Sequence, residues 1–160
     1  MSQNQFFTMN ENFFLNMYFL LYLNITNCRI LYLPSYGFQH LVRLIFLGHD
    51  SNKITFIQSE MLYGLRSLNY FHLCCMQLTT IYDYTFHNLA KLRELKLSNN
   101  PIHQIKSRAF WGLTQLILLY LENCNIMHLG NNAFTPLNSI KVIYTGKNIS
   151  HLLFTRKPCT

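Results

Sequence analysis

Acidic residues are scarce in this chain, with six Asp and Glu among 160 residues against thirteen Lys and Arg. Charged residues make up only 12% of the sequence, while 50% is hydrophobic and 15% aromatic. With so few solvating side chains, many residues must lie inside or at an interface. Paired carboxylates at active-site spacing, phosphate-binding glycine loops and helical nucleic-acid readers are all missing. The formal net charge is +7, yet the basic residues (Lys106, Arg108, Arg156 and Lys157 among them) occur as singles and pairs with no dense cluster. That distribution suits a solvated face rather than a nucleic-acid track. No Lys or Arg precedes Arg29, so the apolar run Phe13–Leu23 lacks the positive region with which a secretory leader begins. At 11 residues, with Asn16 inside, the run is also too short to span a bilayer.

What the chain does have is a period. In LRELKLSNNPIHQIKSRAFWGL, residues 92–113, apolar residues fall at positions one, four, six, eleven and fourteen, with Asn100 at nine, Phe110 at nineteen and Leu113 at twenty-two. Stepping by 24 residues, position one falls on Leu20, Leu44, Leu68, Leu92, Leu116 and Ile140, and position four on Leu23, Leu47, Phe71, Leu95, Leu119 and Ile143. Position nineteen gives Phe14, Phe38, Leu62, Phe86, Phe110 and Phe134, and position twenty-two runs from Met17 to Leu137. No insertion or deletion interrupts the frame. This spacing is the leucine-rich repeat pattern L-x-x-L-x-L-x-x-N/C-x-L with its phenylalanine-bearing second half.

The chain therefore reads as one domain over 1–160, an α/β leucine-rich repeat solenoid (a right-handed β/α superhelix) with a parallel sheet on its concave face. Residues 1–19 are a partial repeat, with Asn4 at nine and Phe6 at eleven, and full repeats start at 20, 44, 68, 92 and 116. Residues 140–160 form a last, degenerate repeat and a truncated flank, with Ser150 at eleven and Pro158 at nineteen. A solenoid normally starts with a polar cap, so the aromatic start at Phe6, Phe7, Phe13 and Phe14 predicts a piece of a longer protein or a truncated gene model.

Three departures are local accommodations rather than sites: His49 and Thr145 at position six, and Met76 at nine. A neutral His49 can be satisfied by a backbone carbonyl, and Met76 can fill an irregular gap. Asn at nine (Asn4, Asn52, Asn100, Asn148) is expected to bond backbone groups left unpaired at the corner after each strand. Cys28 and Cys124 share that position and read as buried thiols, too far apart to bridge. Cys74 and Cys75 are adjacent and Cys159 is in the tail, so no disulfide is compelled.

Positions three, five and seven of each strand should point out of the sheet. They carry Tyr22, Asn24, Phe46, Asp50, Tyr70, His72, Glu94, Lys96, Leu118, Tyr120, Glu122 and Tyr144, with Thr26, Gly48, Cys74, Ser98, Val142 and Gly146 between them. An aromatic stripe on a rigid sheet is what a protein-binding surface requires, although partner-free solenoids also stack aromatics in columns. His72 and Cys74 share a strand face with Asp50 one repeat earlier. Residues i and i+2 are about 7 Å apart, however, and an open sheet does not exclude water, so no catalytic residue is assigned. No second pair at zinc spacing accompanies them, so neither a metal nor a cofactor is expected. The sequons at Asn24 and Asn148 are glycosylation candidates, although glycan on Asn148 would compete with its place in the asparagine column.

The 24-residue repeat with Phe at nineteen resembles the extracellular leucine-rich repeats of animal receptors and matrix proteins. Within that class, LKLSNNPIHQIKSRAFWGL, LYLENCNIMHL and PLNSIKVIYTGKN resemble the last repeats of relaxin-receptor-type leucine-rich repeat G-protein-coupled receptors. There the repeats lead through a Cys-bearing segment, of which Cys159 would be a remnant, into seven helices. Such receptors meet a basic peptide with acidic residues on the concave face, and here that face offers Asp50, Glu94 and Glu122 beside Lys96. The resemblance implies a non-enzymatic segment of a receptor ectodomain, at the cell surface or outside the cell, that binds a protein or peptide and meets a membrane only through parts beyond this chain. A matrix-like adhesive protein and an intracellular adaptor are the alternatives.

Overall fold

A strand whose apolar residues recur at every second position turns one face to a core, and position four of each repeat supplies that face here. The computed structural model describes residues 9–146. Six three-residue strands lie side by side in chain order in one parallel sheet: β1 (Tyr22–Asn24), β2 (Phe46–Gly48), β3 (Tyr70–His72), β5 (Glu94–Lys96), β7 (Leu118–Tyr120) and β9 (Val142–Tyr144). This is the sheet expected on the concave face. Leu23 pairs with Leu47, Leu47 with Phe71, Phe71 with Leu95, Leu95 with Leu119 and Leu119 with Ile143. The repeat frame is thus the hydrogen-bond register, without a slip.

The return half of each turn is not α-helical. Among the described residues it consists of turns, one 3-10 turn at Ser59–Leu62, and a second parallel sheet of β4 (Thr80–Ile81), β6 (Gln104–Ile105) and β8 (His128–Leu129). Only about ten residues lie between this second sheet and the next repeat, too few to repay the cost of nucleating a stable helix. The inward residues there are held by core contacts instead.

The core is the stack of equivalent positions. Leu44, Leu68, Leu92 and Leu116 are fully buried, as are Leu47, Phe71, Leu95 and Leu119. At position nineteen the rings stack from repeat to repeat, Phe14 on Phe38 at 5.7 Å, Phe86 on Phe110 at 6.2 Å and Phe110 on Phe134 at 5.7 Å. Leu62, which interrupts that column, is equally buried.

The asparagines act as expected, and more economically than one per repeat. The Asn52 amide donates to the position-six carbonyls of its own repeat and the one before, His49 O at 3.0 Å and Ile25 O at 2.9 Å, while its Oδ1 accepts from the N–H groups of Cys28 and Ile30. Asn100 likewise serves Leu73 O and Leu97 O, both at 2.8 Å. Each amide has two protons, so an asparagine in every second repeat satisfies every position-six carbonyl from residue 25 to 97. Met76 therefore leaves no carbonyl unserved at position nine and is free to be buried and apolar. Asn4 and Asn148 lie outside the described residues.

Position eight is a feature not evident from the apolar pattern. Asn27, Ser51, Cys75, Asn99 and Asn123 all have φ between 52° and 59°. This left-handed residue turns the chain out of the strand, and Asn, the residue type that tolerates it best after glycine, fills three of the five places.

Several expectations are corrected. Cys28 is exposed, because among the described residues β1 has a neighbour on one side only; Cys124 is buried and its thiol reaches Leu97 O at 3.4 Å. Met17, at position twenty-two, is exposed for the same reason. His49 is fully buried; its ring hydrogen-bonds the backbone of its own residue, and its Nδ1 lies 3.0 Å from the Asn52 amide. Its Nε2 has no partner among the described residues. Burial pushes the His49 pKa down to about 4.

Candidate functional site

The strands place positions three and five on the outer face of the six-stranded sheet, and side chains there meet across repeats. The Phe46 ring lies edge-on to His72 at 4.9 Å, and His72 Nε2 faces Glu94 Oε1 at 3.0 Å. The same Glu94 oxygen is 3.3 Å from Lys96 Nζ, which sits 5.3 Å over the Tyr120 ring. Tyr120 stacks on Tyr144 with centroids 4.5 Å apart and planes 11° from parallel. One continuous row, Phe46–His72–Glu94–Lys96–Tyr120–Tyr144, thus runs across five strands.

Beside it, position seven forms a second row. Asp50 Oδ1 accepts from the Cys74 N–H at 2.5 Å, and Glu122 accepts from Ser98 Oγ at 2.9 Å. All three acids of the face are therefore held by neighbours and present no free negative patch. The Ser98–Glu122 pair carries a signal that was available in the sequence, a hydroxyl and a carboxylate one repeat apart at equivalent positions.

Exposure along the face is uneven. Tyr22 is 67% exposed and Tyr70 and Tyr144 are each 39% exposed, whereas Phe46, Leu118 and Tyr120 are half-buried. Phe46 lies over Gly48, where an added Cβ would come within 3.1 Å of the ring; glycine there lets the ring fold down onto the sheet. Asn24 is exposed at the edge strand, its Oδ1 accepting the Thr26 N–H at 3.1 Å. Asn148, the other sequon, lies outside the described residues, as does Cys159.

His72, Cys74 and Asp50 share the face but do not form a nucleophilic group. The His72 ring is turned to Glu94, and Asp50 is spent on a backbone N–H. Burial, followed by the Asp50 charge, pushes the Cys74 thiol up to about 12, the reverse of what an attacking thiolate needs. Burial likewise raises Cys124 to about 11. Among the described residues no group of three His, Cys, Asp or Glu is placed to hold a metal ion, and no helix is long and apolar enough to cross a membrane.

A search of curated proteins found no match. Among solved structures the chain is similar to one described as the crystal structure of a TLR13–ssRNA13 complex, with a TM-score of 0.80 and 25% identity. The match covers 86% of this chain and 20% of that one, so the chain spans about a fifth of the neighbour's length. The model of the leucine rich repeat family matches residues 49–102, 66–126 and 92–148, together well over half of the sequence. With the 24-residue register, the stacked phenylalanines and the asparagine ladder all in place, the chain belongs to the leucine-rich repeat family.

Proposed function

We propose that the outer face of the six-stranded sheet binds a protein or peptide, as part of a receptor ectodomain at the cell surface. The carrying observation is the row Phe46–His72–Glu94–Lys96–Tyr120–Tyr144, a contiguous aromatic and polar surface on a rigid sheet. Its rings are held by contacts within the row, Phe46 with His72 and Tyr120 with Tyr144, so little side-chain entropy is lost on binding. Tyr and other large aromatics placed this way are the usual centres of protein interfaces. The leucine-rich repeat family is typically protein-binding, and the Toll-like receptor likeness supports a receptor setting.

One observation favours a second reading, since that neighbour was solved with single-stranded RNA. On this chain the face carries Lys96 beside Asp50, Glu94 and Glu122, a balance that favours peptide over a phosphate backbone. Selection of displayed random peptides on the full chain separates the two. Selected peptides are expected to lose at least tenfold in affinity for a Tyr120→Ala/Tyr144→Ala variant and none for Lys106→Ala. Peptides indifferent to the double variant would remove the proposal. Saturable, steeply salt-dependent binding of a uridine oligonucleotide that is lost in Lys96→Ala would put the RNA reading in its place.

A further inference from the structure

On the back of the solenoid, the turns that lead to each phenylalanine line up, and two junctions between them are tied. The Tyr36 N–H donates to Glu60 O at 2.8 Å, and the Tyr36 and Tyr63 rings meet edge-on at 5.5 Å. The Tyr84 N–H donates to Arg108 O at 2.9 Å, Arg108 Nη1 donates to Tyr84 Oη at 2.7 Å, and Trp111 meets the Tyr84 ring at 6.3 Å. Toward the following turn, neither Arg108 nor Trp111 has a bonded partner; the Arg108 N–H is taken back by Asp83 Oδ1 at 2.7 Å. An open cleft of about 560 Å³ lies there, inside the roughly 300–1,000 Å³ range of small-molecule sites.

Its two walls differ in chemistry. One is Arg108 and Trp111, the indole 54% exposed. The other presents Asn131, Asn132, Thr135 and Asn138, whose side chains make no hydrogen bond within the described protein. All four are solvent-exposed, and Asn132 also holds a left-handed turn at φ 59°, which asparagine tolerates; beside the exposed indole they form a polar rim open to a ligand's hydroxyls in place of water.

We propose that this cleft is a binding site for a neutral pyranose oligosaccharide. A sugar ring offers an apolar C–H face to an indole and, around its rim, hydroxyls that both donate and accept, as amides do. The single cation, Arg108, is already engaged by Tyr84 Oη and stands next to the Asp83 carboxylate, so the cleft does not favour a phosphate or a carboxylate ligand. The polar wall is equally unsuited to an apolar peptide side chain.

Trp111 is the one tryptophan of the chain, so its fluorescence reports this cleft alone. The full chain is titrated with cellotriose, chitotriose, lactose and mannotriose, and with a uridine oligonucleotide. At least one sugar is expected to give a saturable emission change with a dissociation constant of about 1 mM or tighter. Asn131→Ala/Asn138→Ala should weaken it at least tenfold, and Thr135→Val provides the same reading if the double variant does not fold. Silence toward all four sugars, a response to the oligonucleotide alone, or a sugar response unchanged in these variants would each overturn the assignment.

Discussion

The repeats that begin at Leu20 and at Leu92 carry nearly the same pattern and are buried very differently. Leu92, Leu95 and Leu97 are fully buried and Asn100 almost so, whereas Leu20, Leu23 and Ile25 are half-buried and Cys28 is exposed. The back halves do not differ in this way. Ile30, Leu33, Phe38 and Leu41 are as buried as Ile102, Ile105, Phe110 and Leu113, because Met9 and Phe14 of the partial repeat cover that side. The lesson is that burial here belongs to the interface between repeats and not to the repeat itself, which is the energetics of a one-dimensional stack.

The dependence of burial on neighbours shows most strongly when a ring is removed from the interior of the column and another from its first turn. Phe110 is stacked on both sides, so Phe110→Ala should cost about 3–5 kcal/mol by leaving a cavity between two fixed neighbours. Phe14→Ala should cost clearly less, since Phe38 is its one column neighbour and the partial repeat can relax around the gap. Chemical denaturation measures both; equal costs would mean that burial is not set by neighbours.

His49 sharpens the contrast through pH. Its pKa falls from 6.5 in the unfolded chain to about 4 in the fold, because the buried site disfavours the charged ring. The folded state therefore binds fewer protons, and this contribution is complete above about pH 6.5 and disappears as pH drops toward 4, for a loss of roughly 3 kcal/mol. His49→Leu restores the aliphatic residue found at position six in the next three repeats, and should flatten the stability profile over that window. A profile no flatter in the variant than in the parent would show that another group carries the acid sensitivity.

Position nine gives smaller effects with opposite signs of intuition. Asn100→Ala should cost about 1–3 kcal/mol by leaving Leu73 O unpaired and Leu97 O with the weak Cys124 thiol alone, while Cys28→Ala at the exposed end should cost next to nothing. Met76→Asn installs the commoner residue yet should destabilise by on the order of 1 kcal/mol, because the carbonyls it would serve are already taken by Asn52 and Asn100. Thermal melts of the three variants test this, and a stabilised Met76→Asn would show that the two-repeat economy of the ladder is false. The finest reading is hydrogen exchange: amides of Leu20–Ile25 should exchange faster than those of Leu92–Leu97, and uniform protection would show that the partial repeat covers both halves of the first turn.

Little of the outer face could be assigned without the fold. Tyr22, Phe46, Tyr70, Tyr120 and Tyr144 fall on one side by the two-residue alternation of a strand, and they are found there. That Phe46 is folded over Gly48, and that Glu94 holds both Lys96 on its own strand and His72 one strand away, depends on rotamers chosen within the packed sheet. The unpaired cleft beside Trp111 has no sequence signature at all, because an asparagine looks the same whether or not a neighbour bonds it.

The period, and with it the sheet, its register and the inward columns, is legible in the residues alone, since a repeat without insertions leaves equivalent residues only one way to stack. Which members of a column are buried is set by the packing of repeats against one another: Cys124 and not Cys28, Leu95 more than Leu23. The reason is that the identity of a residue is local, whereas the surface it loses to water is covered by atoms of the repeats on either side.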